Sequence, residues 1–319
     1  MEKIDAKDRK ILYYLDLDSR QSLTQIGKLV GLPKNVVSYR IKQLEKNGVI
    51  KNYFTVIDLH RIGYDIFRFY ITYQYATLEI KKEIIDYFLK CKNIGILHHV
   101  EGSHDLVVYF FTKNIHEFHS FWTETLSKYR DYFSSQILTI YYQEVNLDYP
   151  FLIDQKGNRK KLAWGDKPEI EIDKIDLEIL RFIAPNARIS TSEIAKKLDI
   201  SAVTAANRIK KLVDSGVINW FRVGIDFTKL GYTDCKVDIV LKDHKKLSQM
   251  LNYVEQNPNF YCRDVTLGYV DLELIFYLKN LRDIHLIMED ISVKFPNTIR
   301  SYKYVYVVQS YRIEYFPRV

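Results

Sequence analysis

The 319-residue sequence predicts an α+β chain of two tandem units, each a winged helix-turn-helix followed by a ferredoxin-like βαββαβ domain. Two observations predict it. The chain repeats itself at a spacing near 168 residues, and within each copy the apolar period changes from helical to strand-like after a Gly-Tyr pair. Residues 4–64 align without a gap on 172–232, with about a third of positions identical. Ile4-Asp5 answers Ile172-Asp173, Asp8 answers Asp176, and Arg20-x-Ser22 answers Arg188-x-Ser190. The densest block, Arg40-Ile41-Lys42-x-Leu44-x-x-x-Gly48-Val49-Ile50, returns as Arg208-Ile209-Lys210-x-Leu212-x-x-x-Gly216-Val217-Ile218. Further on, Gly102-x-x-Asp105-Leu106 recurs as Gly268-x-x-Asp271-Leu272, two residues out of the earlier register. A repeat this long is a domain duplication rather than a solenoid. The expected boundaries are 1–60 and 171–228 for the helix-turn-helix units, 61–150 and 229–319 for the βαββαβ domains, and 151–170 for a linker. That linker holds Pro150, Gly157, Gly165 and Pro168 at or within its ends, with the basic run Arg159-Lys160-Lys161.

Taken in order, Ile11, Leu12 and Leu15 mark the buried stripe of a first helix, and Leu23, Ile26, Leu29 and Val30 that of a second. Gly31-Leu32-Pro33 stops the second. A third helix is expected from Lys34 to about Asn47, with Val37, Ile41 and Leu44 at i, i+4 and i+7, and Gly48 supplies its left-handed stop. Val49 to Leu59 then reads as a wing and outgoing strand. Beyond Gly63 come strands near 67–75, 94–100, 106–111 and 137–142, with helices near 80–89 and 115–129. The second unit repeats the order, with strands near 236–241, 261–267, 272–278 and 299–308 and helices near 245–256 and 281–295.

Composition bounds the rest. Apolar residues at 47% and charged residues at 27% describe an ordinary globular chain, and the net charge of +7 suits a polyanionic partner without proving one. Twenty-five tyrosines fit alternating, half-buried strands better than a base-stacking platform. The three cysteines Cys91, Cys235 and Cys262 have no C-x-x-C spacing, so neither a disulfide framework nor a zinc ribbon is indicated and a reducing cytoplasm fits. The opening MEKIDAKDRK is too charged for a signal peptide, and no apolar run reaches the length of a membrane span.

The second helix of a helix-turn-helix presents its free face to the DNA major groove. In the first unit that face carries Lys34, Asn35, Ser38, Tyr39 and Lys42, with Arg40 at the stripe's edge where it meets either a phosphate or a neighbouring carboxylate. Asparagine pairs with adenine, and lysine reaches guanine or phosphate. The matching face of the second unit holds Thr204, Asn207 and Lys210 among Ala202, Val203 and Ala206, with Arg208 at the edge. It is the less polar of the two. Residues 2–53 carry eleven Lys and Arg against six Asp and Glu, and residues 171–222 nine against seven, so the first head is expected to bind double-stranded DNA more tightly.

The phrases LTQIGKLVGLPKNVVSYRIKQLEKNGVI and VEGSHDLVV, on this order of elements, resemble the Lrp/AsnC (feast/famine) family of regulators. The resemblance implies that the βαββαβ part is a RAM-type domain that dimerises and holds an amino acid or similar small effector near its G-x-x-D turn. It makes Gly102, Asp105, Gly268 and Asp271 effector-site candidates, and the alternative is a tight turn that needs Gly and Asp. The departure from the family is the fusion of two units, which suggests an intramolecular pseudo-dimer, with further self-association left open. No metal, cofactor or catalytic residue is expected. His98, His99, Glu101, His104 and Asp105 are ligand types, but adjacent strand residues such as His98 and His99 point to opposite sides of a sheet. The sequence holds no Walker loop, G-x-S-x-G or H-E-x-x-H. One enzyme class looks alike: siroheme decarboxylases share the architecture and use histidine and arginine to hold tetrapyrrole propionates. Here the motif's arginine position falls at Gly102, and the intact G-x-x-D and the basic recognition helix favour a regulator.

Overall fold

The computed structural model describes residues 4–153, 159–165 and 168–318. Three helices open the chain, α1 (Ala6–Leu17), α2 (Leu23–Val30) and α3 (Lys34–Lys46). Asp5 and Ser22 start the first two as capping boxes, the cap side chain accepting from a backbone N–H three residues on while that residue's side chain accepts in return. Helix α3 ends where Gly48 turns left-handed at φ +66°, which lets the Val49 N–H reach the Leu44 carbonyl. The second unit repeats this with α6 (Lys174–Ile183), α7 (Thr191–Leu198) and α8 (Ala202–Asp214).

Each triplet runs into one strand, β1 (Ile50–Ile57) and β7 (Ile218–Ile225). The segment expected as wing and outgoing strand is β1, and it pairs antiparallel with β7 of the other repeat in a two-stranded ribbon, Tyr53 opposite Val223 and Thr55 opposite Phe221.

The βαββαβ parts follow, in the first unit β2 (Asp65–Tyr73), α4 (Leu78–Lys90), β3 (Ile94–Gly102), β4 (Leu106–Thr112), α5 (Ile115–Tyr129) and β5 (Phe133–Leu147). After β6 (Lys161–Trp164), the second unit gives β8 (Thr233–Leu241), α9 (Leu247–Val254), β9 (Phe260–Leu267), β10 (Leu272–Leu278), α10 (Asp283–Lys294) and β11 (Ile299–Ile313). The last strand of each unit is longer than its expected span, and the extra length closes the architecture. Strands run in the order β5-β2-β4-β3 and β11-β8-β10-β9, and the two sheets join through β3–β11 and β5–β9. All eight strands therefore lie in one closed antiparallel barrel with no free edge.

Period two decides what each face meets. Phe67, Phe69 and Ile71 of β2 pack outward with Ile84, Phe88 and Phe118 of α4 and α5. Val237 and Ile239 of β8 pack outward with Met250, Ile284 and Met288 of α9 and α10. The alternate residues point into the barrel, and there the chain is polar. Arg68, fully buried, donates to Asp264 at 2.9 Å and Tyr109 at 2.8 Å and pairs with Glu273. Tyr70 donates to Glu273 at 2.9 Å and accepts from Lys236 at 2.6 Å, and Lys236 also holds Asp238 at 2.6 Å. Burial pushes the Glu273 carboxyl up, but Arg68 and Lys236 outweigh burial and hold it below the usual carboxylate range. At Asp264 burial prevails and the carboxyl rises.

The described parts of the segment expected as a linker, 151–153, 159–165 and 168–170, pack against the rest of the protein. Phe151 and Leu152 are buried in the core of the first head, β6 adds to the outer edge of β5, and Trp164 packs with Val56 and Trp220. Arg159 donates to the Asp148 carboxylate at 3.2 Å and to the Phe260 carbonyl at 2.7 Å. Turn-forming Pro and Gly sit between anchored apolar positions, which composition alone averages away. Gly157 lies outside the described residues. None of the described helices is long and apolar enough to cross a membrane.

The repeats are also tied by a buried pair. Arg222 of β7 grips both oxygens of Asp16 on α1 at 2.8 Å each, with its guanidinium 4.2 Å from the Trp220 ring centroid. Removing one partner strands a buried charge, which costs about 3–5 kcal/mol. Arg222→Met is thus expected to lower unfolding free energy by about that amount in urea titrations, and the double change Arg222→Met with Asp16→Leu to recover most of it. Equal stability of Arg222→Met and the wild type would remove the pair from the account.

Candidate nucleic-acid interface

Each head forms its own apolar floor before presenting a polar face. In the first, Val37, Ile41 and Leu44 of α3 are buried against Ile11, Leu12, Leu15 and Ile26. In the second, Ala205, Ile209 and Leu212 of α8 are buried against Ile179, Leu180 and Ile194. That packing turns the opposite faces outward. Lys34, Asn35 and Lys42 are exposed, Tyr39 is 60% exposed, and Ser38 is half-buried. On α8, Thr204, Asn207 and Lys210 are exposed with Ala202, Val203 and Ala206.

The two helix starts differ. Ser201 caps α8, its hydroxyl accepting from the Thr204 N–H at 2.9 Å. Pro33 precedes α3 and offers no side-chain cap. The first-turn amides of α3 therefore remain open to an anion, with Lys34 beside them.

Arg40 and Arg208, at the edge of the stripe, each meet neighbouring carboxylates. Arg40 donates to Asp5 and Asp8 at 2.8 Å each, and Arg208 to Asp173 and Asp176 at 2.7 and 2.9 Å. The same fork appears twice, 168 residues apart, and ties the middle of each recognition helix to the start of the first helix in its head. Both carboxylates belong to the N-terminal turn or cap of that helix, so each arginine ties the two helices of its head together.

The two G-x-x-D turns also repeat one geometry. Asp105 accepts from the Tyr73 N–H and Asp271 from the Leu241 N–H, each at 2.7 Å, so both carboxylates fasten the end of a neighbouring strand. Gly102 sits at φ +125° against β11, where a Cβ would lie 2.3 Å from the Tyr304 carbonyl oxygen, so only glycine permits that closeness. Gly268, at φ +106°, has more room, with the Leu138 carbonyl oxygen 3.4 Å from the same point. His98 and His99 face Ser310 and Gln309 across the β3–β11 seam. His104 is buried between Tyr70 and Tyr269, and burial lowers its pKa to about 4, so it is neutral at pH 7.

Sequence reasoning missed the barrel interior. Charged residues at inward positions of otherwise apolar strands, Arg68 and Lys236 above all, were the available signal. The carboxylates of Glu144 and Asp264 and the Cys262 thiol lie within 4.8 Å of one another, a donor set able to hold a metal ion. Each of these groups is already engaged, by Tyr141, by Asn146, by Arg68 or by one another.

Comparison with known proteins agrees with this geometry. The family profile described as winged helix-turn-helix DNA-binding matches residues 4–51 and 172–219, the two heads. An uncharacterized HTH-type transcriptional regulator of Pyrococcus furiosus is 31% identical over 122 residues, which are 38% of this chain and 82% of the relative. HTH-type transcriptional regulator FL11 of the same organism is 30% identical over 122 residues, 37% of this chain and 77% of the relative. Each relative thus corresponds to about one of the two units. The chain belongs to these HTH-type transcriptional regulators, in a form that carries the winged helix-turn-helix twice. Over its full length it is similar in fold to the siroheme decarboxylase NirDL, with a TM-score of 0.65 and 13% identity, covering 98% of this chain and 94% of that one. At that identity the likeness is one of architecture.

If Arg40 serves the head and not the phosphate backbone, Arg40→Gln is expected to leave the slope of log K against log salt unchanged, whereas Lys42→Ala lowers its magnitude by about 0.9. DNA titrations at three salt concentrations measure both, and a drop near 0.9 for Arg40→Gln would return that residue to the interface.

Proposed function

We propose that this chain is a sequence-specific DNA-binding transcriptional regulator that reads two unlike half-sites with its two heads. The observation that carries the reading is the pair of helices α3 and α8, each second in a helix-turn-helix, with apolar faces buried and Lys34, Asn35, Ser38, Tyr39 and Lys42, or Thr204, Asn207 and Lys210, on the other. The heads differ in charge, in polarity and in helix capping, so the first supplies most of the affinity and the target is asymmetric. Such a protein works beside the chromosome, in the cytoplasm.

We read the chain as a regulator rather than a tetrapyrrole enzyme despite its shared fold with NirDL. A polycarboxylate substrate needs unpaired cations. In the described barrel interior Arg68 and Lys236 are committed to Asp264, Glu273 and Asp238, and Glu144 adds a further acid. That surrounding repels propionates. The interface prediction is that Lys34→Ala with Lys42→Ala weakens binding to a selected fragment by a few kcal/mol at most, each contact being worth ~1–3 kcal/mol, while Asn207→Ala with Lys210→Ala costs less. Binding isotherms on the selected fragment and a scrambled control decide it. The reading fails if the first double variant binds unchanged and the second does not bind, or if no fragment is preferred and siroheme binds stoichiometrically.

We further propose that a small effector, an amino acid or a similar molecule, acts at the two turns containing Gly102, Asp105, Gly268 and Asp271. Support comes from their matched geometry at equivalent ends of the two half-barrels. An effector there must compete with an internal hydrogen bond, so it shifts the population of two barrel arrangements according to its difference in affinity for them. A thermal-shift panel of amino acids is expected to show a stabiliser whose effect, RT ln(1 + [L]/Kd), is lost in Asp105→Ala or Asp271→Ala. A stabiliser acting equally on all three proteins would leave these turns as strand fastenings alone.

A further inference from the structure

The short corner after each ribbon strand reaches across to the recognition helix of the other repeat. One corner is the 3-10 turn His60–Ile62 after β1, and its counterpart is Phe227–Leu230 after β7. At the first, the Asp58 N–H donates to the Val217 carbonyl at 2.9 Å and Arg61 donates to the Ser215 carbonyl at 2.6 Å. At the second, the Asp226 N–H donates to the Val49 carbonyl at 2.8 Å and Lys229 donates to the Asn47 carbonyl. These are the same contacts in mirror roles, since Asp58 answers Asp226, Arg61 answers Lys229, and Asn47 answers Ser215 in the 168-residue register. Asn47 and Ser215 are the C-cap residues of α3 and α8. Their carbonyls stand where a helix leaves acceptors unpaired and where its dipole is negative, so a cation is favoured there for two reasons.

The far end of each corner is equally defined. Gly63 and Gly231, both at φ +79°, end the two turns and feed β2 and β8, which carry Arg68 and Lys236 into the barrel. Each recognition helix is thus fastened at its C-terminus to the first barrel strand of the opposite half. We infer that Arg61 and Lys229 are positioning residues for DNA reading, each setting the pose of the recognition helix in the other repeat. Neither lies on a recognition helix, and each acts through the C-cap carbonyl it holds. Arg61 is half-buried and Lys229 exposed, which makes the strut on the second head the firmer of the two.

The test uses the full chain with Lys229→Met and Arg61→Met, which keep an apolar stem and remove the cation, and Lys229→Arg, which keeps it. Amide hydrogen exchange reads the strut without DNA. Lys229→Met is expected to speed exchange roughly two- to fivefold across residues 43–49 and leave 211–217 unchanged, Arg61→Met to do the reverse, and Lys229→Arg to match the wild type. The DNA arm rests on the regulator reading. Both Met variants are expected to lose roughly two- to fivefold in affinity for a selected fragment with an unchanged salt slope, because no phosphate contact is removed. Faster exchange in the variant's own head, or equally in both heads, overturns the inference, and so does a salt slope reduced by about 0.9, which would make the cation a direct phosphate ligand. Should crossed exchange appear and no fragment be preferred at any salt, the strut stands and the regulator reading falls.

Discussion

Arg68 is buried in the centre of the barrel, and an arginine there is tolerable only if its charge is answered in place. Asp264 and Glu273 answer it, and both come from the second unit. The barrel therefore closes around a charge that one unit brings and the other neutralises. Once β3 meets β11 and β5 meets β9, the eight-strand ring is closed, β6 lies along the outer end of β5, and four helices cover the outer faces where the apolar alternates lie. The placement of the heads follows from this closure, because the ribbon of β1 and β7 leads directly into β2 and β8.

The heads are not beads on a string. The ribbon between them, the Arg222–Asp16 pair and the backbone contacts at Val49 and Val217 all cross from one repeat to the other. These contacts join each head to the strands of the opposite repeat. Two equal heads on such a frame would read a palindrome. Unequal heads, one open at its helix start and rich in lysine and one capped and poorer in charge, suit a strong half-site beside a weak one.

Local pattern made the elements legible in the sequence. Val37, Ile41 and Leu44 at helical spacing, and Phe67, Phe69 and Ile71 at alternate positions, specify faces whatever their partner. Partner choice was not legible. Nothing in Ile50 to Ile57 says that the neighbouring strand lies 168 residues on, so the segment read as a wing and outgoing strand without a partner. For the same reason Arg40 looked equally suited to phosphate or carboxylate until Asp5 and Asp8 were seen beside it. The segment between the units looked like a tether because Pro and Gly punctuate a short window with a basic run, while Leu162 and Trp164 act through burial that the window cannot see.

The polar interior also bears on how the gene must be inherited. By the repeat register, Lys236 stands where the first unit has Arg68, while Val107 and His98 stand where the second has Glu273 and Asp264. Two copies of the first unit would bring together two arginines without either carboxylate that now answers Arg68, and two copies of the second a crowd of acids around two lysines. Neither half has a tolerable twin, although each has a tolerable partner. What began as duplication has become division of labour at the level of charge, so the two coding segments can drift apart in sequence but can no longer be lost or replaced one at a time.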